Sequence, residues 1–150
     1  MANFKVRGIA AVVVYALLFK VSIFSGEGSV RITGAAPAKY VALTFDDGPH
    51  EGYTHRLLEI LKKYDARATF FVVGKQVSKF PAYLRDIHRH GHEIANHTYT
   101  HPNLTKLSDD AVLRELDYTR YLVNRLTGQE CVHFRPPGGR VWKTPGVCPT

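Results

Sequence analysis

Apolar residues fall along the chain in short blocks whose spacing alternates between the repeat of a strand and that of a helix. The run from Val41 to Phe45 is rich in strand-forming residues and ends abruptly at Asp46 and Asp47, with Gly48-Pro49 marking a sharp turn. Tyr53 to Tyr64 then carries Leu57, Leu58, Leu61 and Tyr64 at helical spacing. Ala68 to Gly74 is apolar throughout, which predicts a strand covered on both faces in a parallel sheet. A second helix is expected from near Pro81, a good first-turn residue, to Gly91, which readily takes the left-handed conformation that ends helices. His92 to Asn96 reads as a short third strand. Ser108-Asp109-Asp110 supplies a cap and first-turn acids for a long helix, with Val112, Leu116, Val123 and Leu126 on one face and Gly128 past its end. Val132 to Arg135 reads as a fourth strand running into Pro136-Pro137-Gly138-Gly139.

This alternation predicts an α/β fold of about four parallel strand-helix units joined by crossovers. In such folds the loops that follow the C-terminal strand ends converge on one rim, and chemistry sits there. Three polar clusters occupy those positions: Asp46-Asp47 after the first strand, His97 to His101 after the third, and Arg135 to Gly139 after the fourth. They are expected to meet.

The 150 residues, 45% hydrophobic and 22% charged, suit one globular domain. A full parallel barrel takes roughly 200 or more. The net charge of +7 raises the question of nucleic acid, but residues 1–39 hold five Lys/Arg against one Glu, leaving only +3 for residues 40–150. No basic stripe with interleaved aromatics runs through the body, so no nucleic-acid partner is expected. Lys5 and Arg7 precede the apolar run Gly8 to Phe19, which Lys20 interrupts and Val21 to Phe24 resume. Residues 1–24 thus read as a signal peptide or an N-terminal membrane anchor that engages the membrane or the export machinery, and either sends the body outside, secreted or tethered to the outer face of the membrane. Residues 25–38 have the composition of a linker, and the domain spans 39–150. Cys131 and Cys148 are compatible with a bridge after export or with two free thiols.

Two adjacent carboxylates at a strand mouth need a cation or strong donors if both are to stay ionised. His97 and His101, four apart, turn both imidazoles to one side if the segment forms a single helical turn, which Pro102 would end. With a carboxylate from another strand end they make a 2-His-1-carboxylate set, the open-sided arrangement of a catalytic metal, with zinc the first choice among divalent ions. The zinc-peptidase helix has a Glu directly after its first His; here Thr98 stands there, so the base must come from elsewhere. One acid of the Asp pair binding metal and its neighbour taking a proton from the activated water answers that need. Arg135 would orient the base, while the N–H groups of Gly138 and Gly139 would face a developing oxyanion.

The runs TFDDGP, HTYTH and RPPGG, in this order and on successive strand ends, resemble the first three motifs of the polysaccharide deacetylases, metal-dependent carbohydrate esterases that share a distorted (β/α) barrel. The resemblance covers roughly Lys39 to Arg140 and implies a partial barrel of that kind. It implies Asp46 as catalytic base, Asp47, His97 and His101 as metal ligands, and Arg135 as the residue orienting the base. The backbone N–H of Gly138 stands where the family places an oxyanion donor, although the family usually carries an aromatic residue there. The implied reaction removes the acetyl group of an N-acetylated sugar in peptidoglycan or a chitin-like polymer. The family's two later motifs, one with Asp and Trp and one with Leu and the His that serves as acid, have no counterpart before Thr150. A truncated fragment that binds metal and sugar without turnover is therefore the alternative expectation. A phosphatase of the haloacid-dehalogenase type is a further one, but it requires a residue between its two acids and gives HTYTH no role.

Overall fold

The computed structural model describes residues 41–140. The expected leader, linker, first residues of the domain and Cys148 lie outside that span. Strand-forming residues build three short parallel strands, β1 (Thr44–Gly48), β2 (Thr69–Val72) and β3 (Glu93–Asn96), in the order β1-β2-β3. Their register sets Phe45 beside Phe70 and Phe70 beside Ile94 on one face, while Thr44, Asp46, Thr69, Phe71, Glu93 and Ala95 share the other.

Four helices cover the apolar face. α1 (Thr54–Lys63) buries Leu58 and Leu61, α2 (Gly74–Lys79) buries Val77, α3 (Pro81–Arg89) buries Leu84 and Ile87, and α4 (Asp109–Thr127) buries Val123. These side chains form one core with Phe45, Phe70, Val72 and Ile94. Each fully buried Leu or Ile adds about 1.5–3 kcal/mol through removal of apolar surface from water. The long helix has the boundaries its sequence dictates: the Ser108 hydroxyl accepts from the Ala111 N–H, Asp109 and Asp110 sit in the first turn, and Gly128 closes it at φ 73°.

Three features depart from the sequence expectation. The first strand begins later and runs further, so Asp46 and Asp47 belong to it, while Val41 and Ala42 are exposed. Between β2 and β3 the chain makes two helices, because Gly74 opens α2 before Pro81 opens α3. The fourth strand shrinks to a single parallel bridge between Asn96 and Phe134, carried by Asn96 N–H to the His133 carbonyl at 2.8 Å and Arg135 N–H to the Asn96 carbonyl at 3.0 Å. Val132, at 74% exposure, lies outside that pairing.

The sheet is curled. Neighbouring strands lie about 4.8 Å apart, so a flat sheet would put the segment beside β3 some three spacings, about 14 Å, from β1. Yet the Arg135 side chain donates to Thr44 and Asp46 of β1. The apolar face is therefore the convex side under the helices, and the face with Thr44, Asp46 and Phe71 is concave, as in an arc of a (β/α) barrel.

Two packing details lead to predictions. Gly74 lies where any Cβ would come within 2.5 Å of both Thr119 Oγ1 and the Tyr99 ring. Gly74→Ala is expected to cost about 1–3 kcal/mol from overpacking, read as a lowered urea midpoint of the full chain. His92 is 5% exposed beside Phe70, and neither ring nitrogen has a hydrogen-bond partner. Burial first, then the nearby Arg67 and His90, push its pKa below the ordinary 6.5. The unfolded chain then binds more protons than the folded one as pH falls through that value, so stability is expected to drop below pH 6.5. In His92→Phe the slope of unfolding free energy between neutral and mildly acidic pH should be shallower than in the wild type; an unchanged slope would refute the assignment to His92.

Candidate metal centre

The site starts from an irregularity in β1. Asp46 pairs with Phe71 and Gly48 with Val72, so Asp47 is an extra residue in the ladder, a bulge at φ 68°. Consecutive residues of a regular strand face opposite ways, and a bulge re-aims a side chain at a strand end. Asp tolerates the left-handed conformation better than most residues, which suits it to that place. Both acids thereby serve the same rim.

Asp47 Oδ1 lies 3.5 Å from His97 Nε2 and 3.2 Å from His101 Nε2. One ligating atom from each of the three residues falls within 4.8 Å of the others, the one such group among the described residues. The two rings meet edge to face at 5.0 Å between centroids. His97 is 3% exposed, and its Nδ1 sits 2.7 Å from the Arg135 carbonyl. A carbonyl only accepts, so Nδ1 carries the proton and Nε2 turns a lone pair toward Asp47. Burial pushes the His97 pKa below its ordinary value, against the opposing pull of the Arg135 carbonyl, Asp46 and Asp47. A neutral imidazole lone pair thus faces a carboxylate, and that repulsive contact is relieved by a cation between them. The donor set fits a divalent metal, with an ordered partner on the far ring nitrogen of the buried histidine.

The segment that brings the histidines together is a loop rather than a helical turn. Thr98 and His101 take φ 67° and 60°, and this left-handed backbone lets two rings four residues apart converge without a helix. The loop survives because its N–H groups are all used. His97 donates to the Val72 carbonyl, Thr98 to Asn96 Oδ1, Tyr99 and Thr100 to Glu115 Oε2, and His101 to Thr98 Oγ1. In return the Thr98 and Tyr99 carbonyls accept from Gly74 and Lys75 at the start of α2, both at 2.9 Å. Asn96 is fixed by donating to the Leu116 carbonyl of α4 at 2.9 Å. Sequence reasoning passed over Asn96 and Glu115; a buried-position Asn at a strand end and a Glu on the inner side of α4 were the only signals.

Asp46, whose side chain is 15% exposed, has different partners. Arg135 donates from one guanidinium nitrogen to Asp46 Oδ1 at 2.6 Å and to Thr44 Oγ1 at 3.1 Å, and the guanidinium lies over the Phe71 ring at 3.9 Å. Thr44, Asp46 and Phe71 are neighbours on the concave face, so register alone creates the seat that the arginine fills. A charge-assisted bond of this length holds the carboxylate in one orientation. Arg135 therefore joins the two halves of the site: its side chain fixes Asp46 and its carbonyl fixes His97.

Gly138 and Gly139 follow Pro137 in a short turn at φ 66° and 65°. The N–H of Gly139 donates to the Pro136 carbonyl at 3.1 Å, which removes it as an oxyanion donor and leaves that expectation to Gly138. His133 shares the concave side with Arg135, as strand parity requires, but it pairs with Glu93 at 3.2 Å, at the opposite end of β3 from the rim. Cys131 tucks its Sγ 3.7 Å from the Ile94 carbonyl, and burial pushes its thiol up to about 12.

With this geometry in view, the likeness to known proteins is specific. A peptidoglycan-N-acetylglucosamine deacetylase of Bacillus cereus is 44% identical over 101 residues, 67% of this chain and 37% of that protein. The solved structure of the peptidoglycan deacetylase PdaC from Bacillus subtilis superposes with a TM-score of 0.65 at 40% identity, over 67% of this chain and 50% of that one. A pseudoenzyme of the CE4 family from Bacillus anthracis superposes at 0.61 with 38% identity, over 64% of this chain and 34% of its own. This chain thus spans about a third to a half of these relatives. The polysaccharide deacetylase family profile matches residues 33–145, and with the parallel, helix-covered arc described above it establishes that the chain belongs to the polysaccharide deacetylase family.

Proposed function

We propose that the chain hydrolyses the N-acetyl amide of N-acetylhexosamine units in an extracellular polysaccharide, peptidoglycan or a chitin-like polymer, with zinc held by Asp47, His97 and His101. The observation that carries this reading is the separation of the two neighbouring acids: Asp47 faces two imidazoles while Asp46 is locked to Arg135. A divalent ion in the first group supplies Lewis acidity and brings the pKa of a water toward neutrality. Asp46, anchored through Oδ1, is placed to take a proton at its carboxylate from the attacking water, and Arg135 holds that carboxylate in its orientation. The Gly138 N–H is assigned to the oxygen of the tetrahedral intermediate, where one good donor is worth about 2.7–4 kcal/mol. The relatives named for peptidoglycan support that substrate class, and the leader with Lys5 and Arg7 ahead of its apolar run supports a place of work outside the membrane. The phosphatase reading has no use for the facing imidazoles.

Two variants separate the roles. In His97→Ala the full chain should lose zinc affinity on the order of 100-fold or more by calorimetric titration, since a ligand and its ordered carbonyl partner both go. In Asp46→Asn zinc affinity should stay near that of the wild type, while acetate release from a chitin oligomer or from peptidoglycan falls by about 10²–10⁴-fold in kcat. Zinc binding by the wild type without acetate release from either polymer would replace the proposal with the alternative, a chain that holds metal and sugar but does not turn over.

A further inference from the structure

Glu115 lies on α4, far in sequence from the candidate ligands, and it carries more of the His97–His101 loop than any other side chain. Its Oε2 accepts the Tyr99 N–H at 2.8 Å and the Thr100 N–H at 2.7 Å, and its Oε1 accepts the Thr100 hydroxyl at 2.8 Å. The loop it grips contains two non-glycine residues with positive φ, Thr98 and His101. Such backbone relaxes unless its surroundings over-determine it. The remaining pins fall on His97 to Tyr99 and stop short of His101: Asn96 holds the Thr98 N–H, the Val72 carbonyl holds that of His97, and the N–H groups of Gly74 and Lys75 hold the Thr98 and Tyr99 carbonyls. His101 is different. Its ring is 40% exposed, and its own N–H reaches only Thr98 Oγ1 at 3.2 Å.

From these contacts we infer that Glu115 is a positioning residue for the metal centre, holding Tyr99 and Thr100 so that His101 Nε2 meets Asp47 and His97. The inference rests on reading those three residues as a metal centre. Two adjacent N–H groups and a hydroxyl converging on one carboxylate make a three-point clamp, stronger than bonds to a neutral acceptor. Because Leu116, the next residue, accepts from Asn96, one turn of α4 sets both ends of the loop. Outer partners of this kind typically govern metal affinity over about 10–100-fold.

The test uses the full chain and Co²⁺ as the probe, followed by its visible absorption, together with hydrogen exchange of the metal-free chain. Glu115→Ala is expected to weaken Co²⁺ binding by about 10–100-fold and to speed exchange at the Tyr99 and Thr100 amides, with helix content by circular dichroism retained. Both amides lie near the surface, so water can replace the lost acceptor and the fold survives. Glu115→Gln keeps an oxygen for the two N–H groups and should lose less than about threefold. Asp117→Asn, on the exposed side of the same turn and paired with Arg120, is the control and should change neither readout. Unchanged Co²⁺ affinity in Glu115→Ala, or a loss in Glu115→Gln equal to that in Glu115→Ala, would overturn the inference. Should Glu115→Ala fail to fold, Thr100→Val, which removes only the hydroxyl contact, decides the matter: weaker Co²⁺ binding with faster Tyr99 and Thr100 exchange supports the clamp, and no change in either refutes it. If the wild type takes up no Co²⁺, the metal reading itself fails, and amide exchange in Glu115→Ala still shows whether Glu115 anchors the loop.

Discussion

Asp47 Oδ1 and His97 Nε2 face each other across 3.5 Å, each offering a lone pair and neither offering a proton. The Arg135 carbonyl behind the ring accepts the Nδ1–H and leaves Nε2 toward Asp47, and burial of the ring pushes its pKa below the ordinary value, which disfavours a second proton. Acceptors aimed at one another in this way, with the ring of His97 fixed from behind, suit the site to a cation. The concave sheet face, the bulge in β1 and the loop after β3 are what bring those acceptors together.

Arg135 links that centre to the neighbouring carboxylate through two different parts of one residue. Its carbonyl sets the ring of His97, and its guanidinium, seated on Phe71, sets Asp46. The carbonyl acts on its immediate neighbour after β3, but the guanidinium reaches β1 because the sheet curls. The curl of the sheet is therefore as much a part of the site as the residues themselves, and the helices that bury Leu58, Leu84, Ile87 and Val123 on the convex side are what maintain it.

The sequence made much of this legible because strand ends in parallel α/β folds share one rim. That rule alone placed Asp46-Asp47, His97–His101 and Arg135 together, and caps at Ser108 and Gly128 marked α4 closely. The division of labour between the two acids was open from the residues and entered through the family resemblance; the bulge that gives Asp47 its own direction has no sequence signature, since Asp-Asp at a strand end reads the same with or without it. The helical turn expected at His97–His101 yielded to a left-handed loop because Asn96, Gly74 and Glu115 offer its backbone other partners. Those partners come from three separate elements, and pairings of that range are invisible to periodicity. The fourth strand was over-read for a related reason: Val132 to Phe134 has strand composition, but the segment meets the edge of β3 only at Asn96, a pairing that composition does not report.

Zinc X-ray absorption on the full chain tests the central claim most directly. The account predicts a nitrogen and oxygen shell at about 2.0–2.1 Å with the outer scattering of two imidazoles, reduced to one imidazole in His101→Ala. A sulfur shell at about 2.3 Å, or a shell without imidazole scattering, would contradict it.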